Sequence, residues 1–134
     1  MLNLEIVTPE KKVLSEAVDA VTIPTASGEV GILQNHAPLI SSLKAGVLSY
    51  TQAGATNRMV IAGGFVEVSD NNVSVLSDIA ETADEINVEA ARADREAAER
   101  ELGAAKGSLE ESSGERERLE IAQARLQLAA SSRQ

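Results

Sequence analysis

Phe65-Val-Glu-Val-Ser-Asp-Asn-Asn-Val-Ser-Val-Leu76 reads as one β-hairpin. Apolar and polar residues alternate on both sides of Asp70-Asn-Asn72, and Asp and Asn tolerate the left-handed backbone of a tight turn. A period of two gives each arm one face to bury and one to leave open, so the unit requires a second sheet to cover it.

Upstream, the same material repeats at short intervals. Leu2-Asn-Leu-Glu-Ile-Val7 alternates up to Thr8-Pro9, and Val18-Asp-Ala-Val-Thr-Ile23 runs to Pro24. Val30 to Leu33 follows Gly28, and Leu39 to Leu43 follows Pro38. Val47 to Tyr50 and Arg58 to Ile61 flank Gln52-Ala-Gly54-Ala, a second hairpin connection. About eight short strands with regular turn signals predict two small packed sheets. Gly63-Gly64 precedes a strand rather than a helix, which marks a bend or a close approach of two backbones.

Downstream the material changes. Residues 1 to 80 hold 27 Val, Ile, Leu and Met with all three prolines, whereas residues 81 to 134 hold 8 such aliphatics, 12 alanines, 13 acids and no proline, a helical composition. Val88, Ala91, Arg95, Ala98, Leu102, Ala105 and Leu109 step by three and four behind Asn87, a natural N-cap. Glycines at 103, 107 and 114 and Ser112-Ser113 end this helix between 105 and 111. Leu119, Ala122, Leu126 and Ala129 repeat the step on a second helix. The expected fold is therefore α+β in two parts, an antiparallel β-sandwich over residues 1–82 and an antiparallel α-helical hairpin over residues 83–134. With so few large apolar side chains the hairpin is expected to be marginally stable and able to detach. Exposed pairs such as Glu96 with Arg100 add little.

Composition excludes several functions. The net charge of −9 argues against nucleic acid, which needs clustered cations. The absence of cysteine and the single histidine leave no thiolate zinc site, no cysteine nucleophile and little basis for any transition-metal centre. No phosphate-binding Gly-x-x-x-x-Gly-Lys loop occurs, and acids at 94, 96, 99 and 101 alternate with arginines as a solvated helix face does. No run of about 18 apolar residues is present. The start, Met1-Leu-Asn-Leu-Glu-Ile, lacks the plan of a signal peptide, so an unexported chain is expected.

The distinctive stretch is Ser27-Gly-Glu-Val-Gly-Ile-Leu-Gln-Asn-His-Ala-Pro-Leu39. It is a glycine-framed strand followed by a loop in which the residue before proline is held extended. His36 here serves either its own loop or a partner. Gly28-Glu-Val-Gly-Ile-Leu with Asn35-His-Ala-Pro-Leu, then Ile61-Ala-Gly-Gly-Phe65, then Asn72-Val-Ser-Val-Leu76, in that order, resemble the epsilon subunit of F-type ATP synthases.

The resemblance implies a non-catalytic central-stalk subunit, with no cofactor or metal, that couples proton flow through the c-subunit ring to ATP synthesis. By position, Gly28, Glu29 and Gly31 fall where the family meets the c ring, and Thr8, His36 and Ser41 where it meets the gamma subunit. The hairpin would be regulatory, opposing ATP hydrolysis when extended, with Arg95, Arg100, Arg116, Arg118 and Arg125 facing the catalytic alpha and beta subunits. Some bacterial members bind ATP through Ile/Leu-Asp-x-x-Arg-Ala. The aligned Ile86-Asn-Val-Glu-Ala-Ala91 has Asn87 for the acid and Ala90 for the arginine, so with only Ile86 and Ala91 retained, weak or no ATP binding is expected. The implied place is peripheral, without membrane insertion, on the cytoplasmic face of a bacterial inner membrane or the stromal face of a thylakoid. The alternative is a free-standing β-sandwich that binds another protein.

Overall fold

A computed structural model describes residues 1–104 and 113–131. Ten strands, β1 (Leu2–Val7), β2 (Lys12–Val18), β3 (Ala20–Thr25), β4 (Gly28–Ile32), β5 (Leu39–Ser42), β6 (Gly46–Gln52), β7 (Ala55–Ala62), β8 (Phe65–Ser69), β9 (Asn72–Leu76) and β10 (Ile79–Glu81), precede a single 3₁₀ turn at Ala83–Glu85. Two helices follow, α1 (Val88–Ala104) and α2 (Ser113–Ser131). The strands form two five-stranded sheets, ordered β2-β1-β9-β8-β5 and β10-β7-β6-β3-β4. All neighbouring strands run antiparallel except β1 and β9, which are parallel.

The core lies between the sheets and is aliphatic, as the shortage of aromatics requires. Leu2, Leu4 and Ile6 of β1, Val73 and Val75 of β9 and Val66 and Val68 of β8 meet Val21, Ile23, Leu48, Met59 and Ile61 of the second sheet. Both hairpin turns have the backbone expected of two-residue connections that match strand twist. Asp70 and Asn71 have φ of 49° and 63°, and Ala53 and Gly54 have 50° and 82°. Gly64, at φ 82°, lies so close to the Leu76 carbonyl that a Cβ would collide with it. The Gly-Gly pair is therefore a close backbone approach.

Four features differ from the sequence expectation. The run Val18 to Ile23 is not one strand, because the chain changes sheets at Asp19. The Asp19 N–H donates to the Thr51 carbonyl at 2.8 Å and its carboxylate accepts the Ala53 N–H at 3.2 Å, which fixes the corner. Pro24 does not end β3 but continues it, pairing with Glu29. Most of β2, ahead of Val18, was not foreseen, nor was the short β10. Its corner is held by buried Ser77, whose hydroxyl accepts the Ala62 N–H at 3.1 Å and lies 2.9 and 2.7 Å from the Ala62 and Ile79 carbonyls.

The helices form the expected hairpin, and among the described residues α2 is the helix that rests on the sandwich. It lies against β6 and β7, while α1 lies against α2. The buried side chains of α1 are Ala91 and Ala98, and those of α2 form two stripes, Ala122 with Ala129 and Ala124 with Leu128. At about 100° per residue these stripes lie more than a quarter-turn apart, so α2 is gripped on two sides. Ala124 and Leu128 cluster with Val60, flanked by Val47, Ala83 and Ile86. The expected end of the first helix, with Ala105 and Leu109, lies outside the described residues.

Candidate functional site

The outer face of the first sheet carries exposed apolar side chains in register. Leu76 pairs with Phe65, Phe65 with Ser42, and Ile40 lies two residues away on the same strand face as Ser42. Ile40, Phe65 and Leu76 are 73%, 45% and 41% exposed. Val7, Thr8, Pro9, Gly64, Phe65 and Leu76 line a cleft of about 290 Å³ at one end of this face. Isolated exposed apolar residues are ordinary, but a row along one sheet face is a protein-binding feature.

Thr8 and His36 lie at opposite ends of this sheet. Thr8 follows Val7, the partner of Leu76, and its N–H and hydroxyl both donate to the Lys11 carbonyl at 2.9 and 3.3 Å. The His36 loop is pinned to the β8–β9 turn, where the Asn71 side chain accepts the Asn35 N–H at 2.6 Å. His36 Nδ1 donates to the Ala37 carbonyl at 2.7 Å, so one ring nitrogen serves its own loop. Ser41, half-buried on the edge strand β5, pairs with buried Val66, while Ile40 and Ser42 on the other face of β5 are exposed.

Gly28, Glu29 and Gly31 lie on β4, the edge of the second sheet, and all three are exposed. The turn before them is closed by the Thr25 hydroxyl, which donates to the Gly28 carbonyl at 2.7 Å and accepts the Ser27 N–H at 3.2 Å. Gly28 has φ 113°, the reason for a glycine at that position. Glu29 makes no ion pair among the described residues, which leaves a single carboxylate on the edge strand just past a rigid turn.

The helical end is organised by charge. Val47 pairs with Val60 and Val60 with Glu81, one cross-strand row onto which Ala124, Arg125 and Leu128 of α2 descend. Arg125 Nε and Nη2 donate to the two Glu81 oxygens at 2.7 and 3.1 Å, and Nη1 lies 4.0 Å from Asp94 of α1. Arg118 reaches Glu101 at 3.3 Å and Asp94 at 3.7 Å, joining α2 to α1. Arg95 pairs with Glu99 at 3.7 Å on its own helix. Among the described residues the expected Glu96–Arg100 pair is not formed, and Arg95–Glu99 and Glu89–Arg92 are the pairs along α1. Arg116 lines a cleft with Lys44, Glu117 and Glu120.

Between sandwich and helices, the Glu85 carboxylate accepts from the Thr82 N–H and hydroxyl at 3.1 and 2.9 Å, which draws the Glu85 carboxyl below its ordinary pKa. Asn87 Oδ1 accepts the Ala90 N–H at 3.0 Å, the cap expected of it. Ile86 packs against α2 and Ala91 is buried, while Ala90 is exposed, so the aligned ATP-motif segment here is used for capping and packing. Sequence reading missed Glu81, whose only local signal is an acid at the end of a three-residue strand.

Residues 1–83 match the family model of the beta-sandwich domain of the ATP synthase delta/epsilon chain. The chain belongs to that family. It is 52% identical over 93 residues to the ATP synthase epsilon chain of Pelotomaculum thermopropionicum, covering 69% of each chain. It resembles a chain in the cryo-EM structure of the Euglena gracilis mitochondrial ATP synthase with its c-ring, at TM-score 0.80 and 27% identity, over 96% of this chain and 81% of that one. A chain in the central stalk and c-ring structure of the Tetrahymena thermophila mitochondrial ATP synthase shares the fold at TM-score 0.61 and 16% identity, over 99% and 96%. Among the described residues of this epsilon-family chain, no group of metal-ligating side chains converges, and no helix is long and apolar enough to cross a membrane.

Proposed function

We propose that this epsilon-family chain is a non-catalytic subunit of the ATP synthase central stalk, binding the gamma subunit and the c ring and restraining ATP hydrolysis through its helical hairpin. The observation that carries the reading is the division of labour between the sheets. Helix α2 lies over β6 and β7 on the outer face of the second sheet, whereas Ile40, Phe65 and Leu76 stand bare on the first. That face suits gamma, with Thr8 and His36 at its two ends. The Gly28–Glu29–Gly31 edge suits the polar loops of the c ring, where one carboxylate sets register more than affinity. Relatives with this fold occur in assemblies that include a c-ring. The subunit would be peripheral, held to the membrane by the ring.

The hairpin in this structure is in its docked form. Small buried side chains and ion pairs hold it, as a reversible regulatory element requires, and leaving the sandwich would free arginines for acidic surfaces of the catalytic subunits. The test is purification through a tag on this chain. Co-recovery of gamma and the catalytic subunits is the expected result, and recovery of a solitary protein would refute the reading.

A further inference from the structure

We propose that Arg125 is the latch of the docked hairpin, joining β10, α1 and α2 through Glu81 and Asp94. The inference rests on the reading that the hairpin leaves the sandwich, and it names the contact that must break first.

Helix α2 offers the sandwich little apolar surface. Of its two buried side chains in that cluster one is an alanine, and the other, Leu128, covers Val60. Next to Val60 in the same cross-strand row, Glu81 receives the Arg125 fork through two hydrogen bonds of 2.7 and 3.1 Å. The two side chains are only 23% and 27% exposed, so water competes for them less than for the other ion pairs of the helices. A planar, bidentate geometry makes such a pair specific in direction as well as charge.

Position adds to strength. Glu81 is the last residue of β10 and directly precedes the turn from which the helices would swing, so rotation at residues 82–87 carries Arg125 away from Glu81. Among the described residues, helix α1 has no substantial contact with either sheet and is held through α2, with Asp94 shared between Arg118 and Arg125. One guanidinium thus touches every piece that has to separate. While it holds Glu81 it is withheld from any outside carboxylate, so docking and partner binding by Arg125 exclude each other.

Hydrogen exchange on the full-length chain, read by mass spectrometry, separates α2 peptides from those of β1 and β9. Glu81→Gln and Arg125→Gln are each expected to speed exchange across α2 by about tenfold, with the double variant no faster than either single one. Arg125→Lys keeps the charge but not the fork and falls between. Single variants within about twofold of the unsubstituted chain, or effects that multiply in the double variant, would overturn the latch. So would equal acceleration in β1 and β9, which would make the pair a support of the whole fold. Because docking in the free chain is what is read, a latch that opens without changing ATP hydrolysis would refute the regulatory function alone.

Discussion

Arg125 meets Glu81 with both arms of its guanidinium at the point where the last strand of the sandwich gives way to the turn before the helices. The five arginines that the sequence marks out as one regulatory set are therefore not equivalent. Arg118 and Arg125 hold the hairpin together and in place, Arg95 pairs along its own helix, and Arg100 and Arg116 are exposed.

Removal of residues 83–134 takes away α1, α2 and the 3₁₀ turn but leaves both sheets intact. The truncated subunit is expected to assemble with gamma while ATP hydrolysis by the complex rises. An assay at equal subunit stoichiometry checks this, and unchanged hydrolysis would count against an inhibitory hairpin.

Ile40→Asp places a second acid beside Glu67 on the edge strand of the bare face. At 73% exposure the side chain contributes little to the fold, so the melting temperature of the free chain should stay within a few degrees. Co-purification with gamma should be lost. Retained co-purification would move the gamma contact off this sheet.

Gly64→Ala and Gly54→Ala separate steric from conformational cost. Both glycines have φ 82°, but only Gly64 faces a backbone carbonyl where the new methyl would sit. Gly54→Ala should cost about 1 kcal/mol and Gly64→Ala about 2 to 4 kcal/mol, because the approach of β8 to Leu76 must widen. Chemical denaturation of the two variants measures the difference, and equal losses would mean that the clash relaxes freely.

Glu85 gives the turn before the helices a pH dependence. Its folded pKa is depressed by the hydrogen bonds from Thr82, so the contribution is present above the ordinary value of 4.5 and is lost as pH falls through the lower folded value. The carboxyl carbon shift followed by NMR should titrate below 4.5, and Thr82→Ala should return the midpoint toward 4.5. A midpoint at or above 4.5 in the unsubstituted chain would show that the bonds do not persist in solution.

Much of this architecture is legible in the residues. Alternation at Phe65–Leu76 yields a true hairpin, and the three-four step behind Asn87 yields a helix capped by that side chain. What stayed hidden is decided by distant contacts. Asp19 breaks a continuous apolar run because Thr51 and Ala53, far along the chain, offer it better bonds than strand continuation does. Glu81 looks like any helix-flanking acid until Arg125, 44 positions on, is brought against it. Ser41 shares the register of Val66 and Ile40 does not, a distinction that strand pairing alone decides.

Helix α2 buries one stripe against α1 and another against the sheet, and this fixes a kinetic signature. No partner can grip these apolar side chains while both stripes are covered, so their capture requires the hairpin to open. If the hairpin inhibits, onset is expected to stop rising with the concentration of the capturing surface and to level off at the opening rate of the hairpin itself, the behaviour of selection from a minor state.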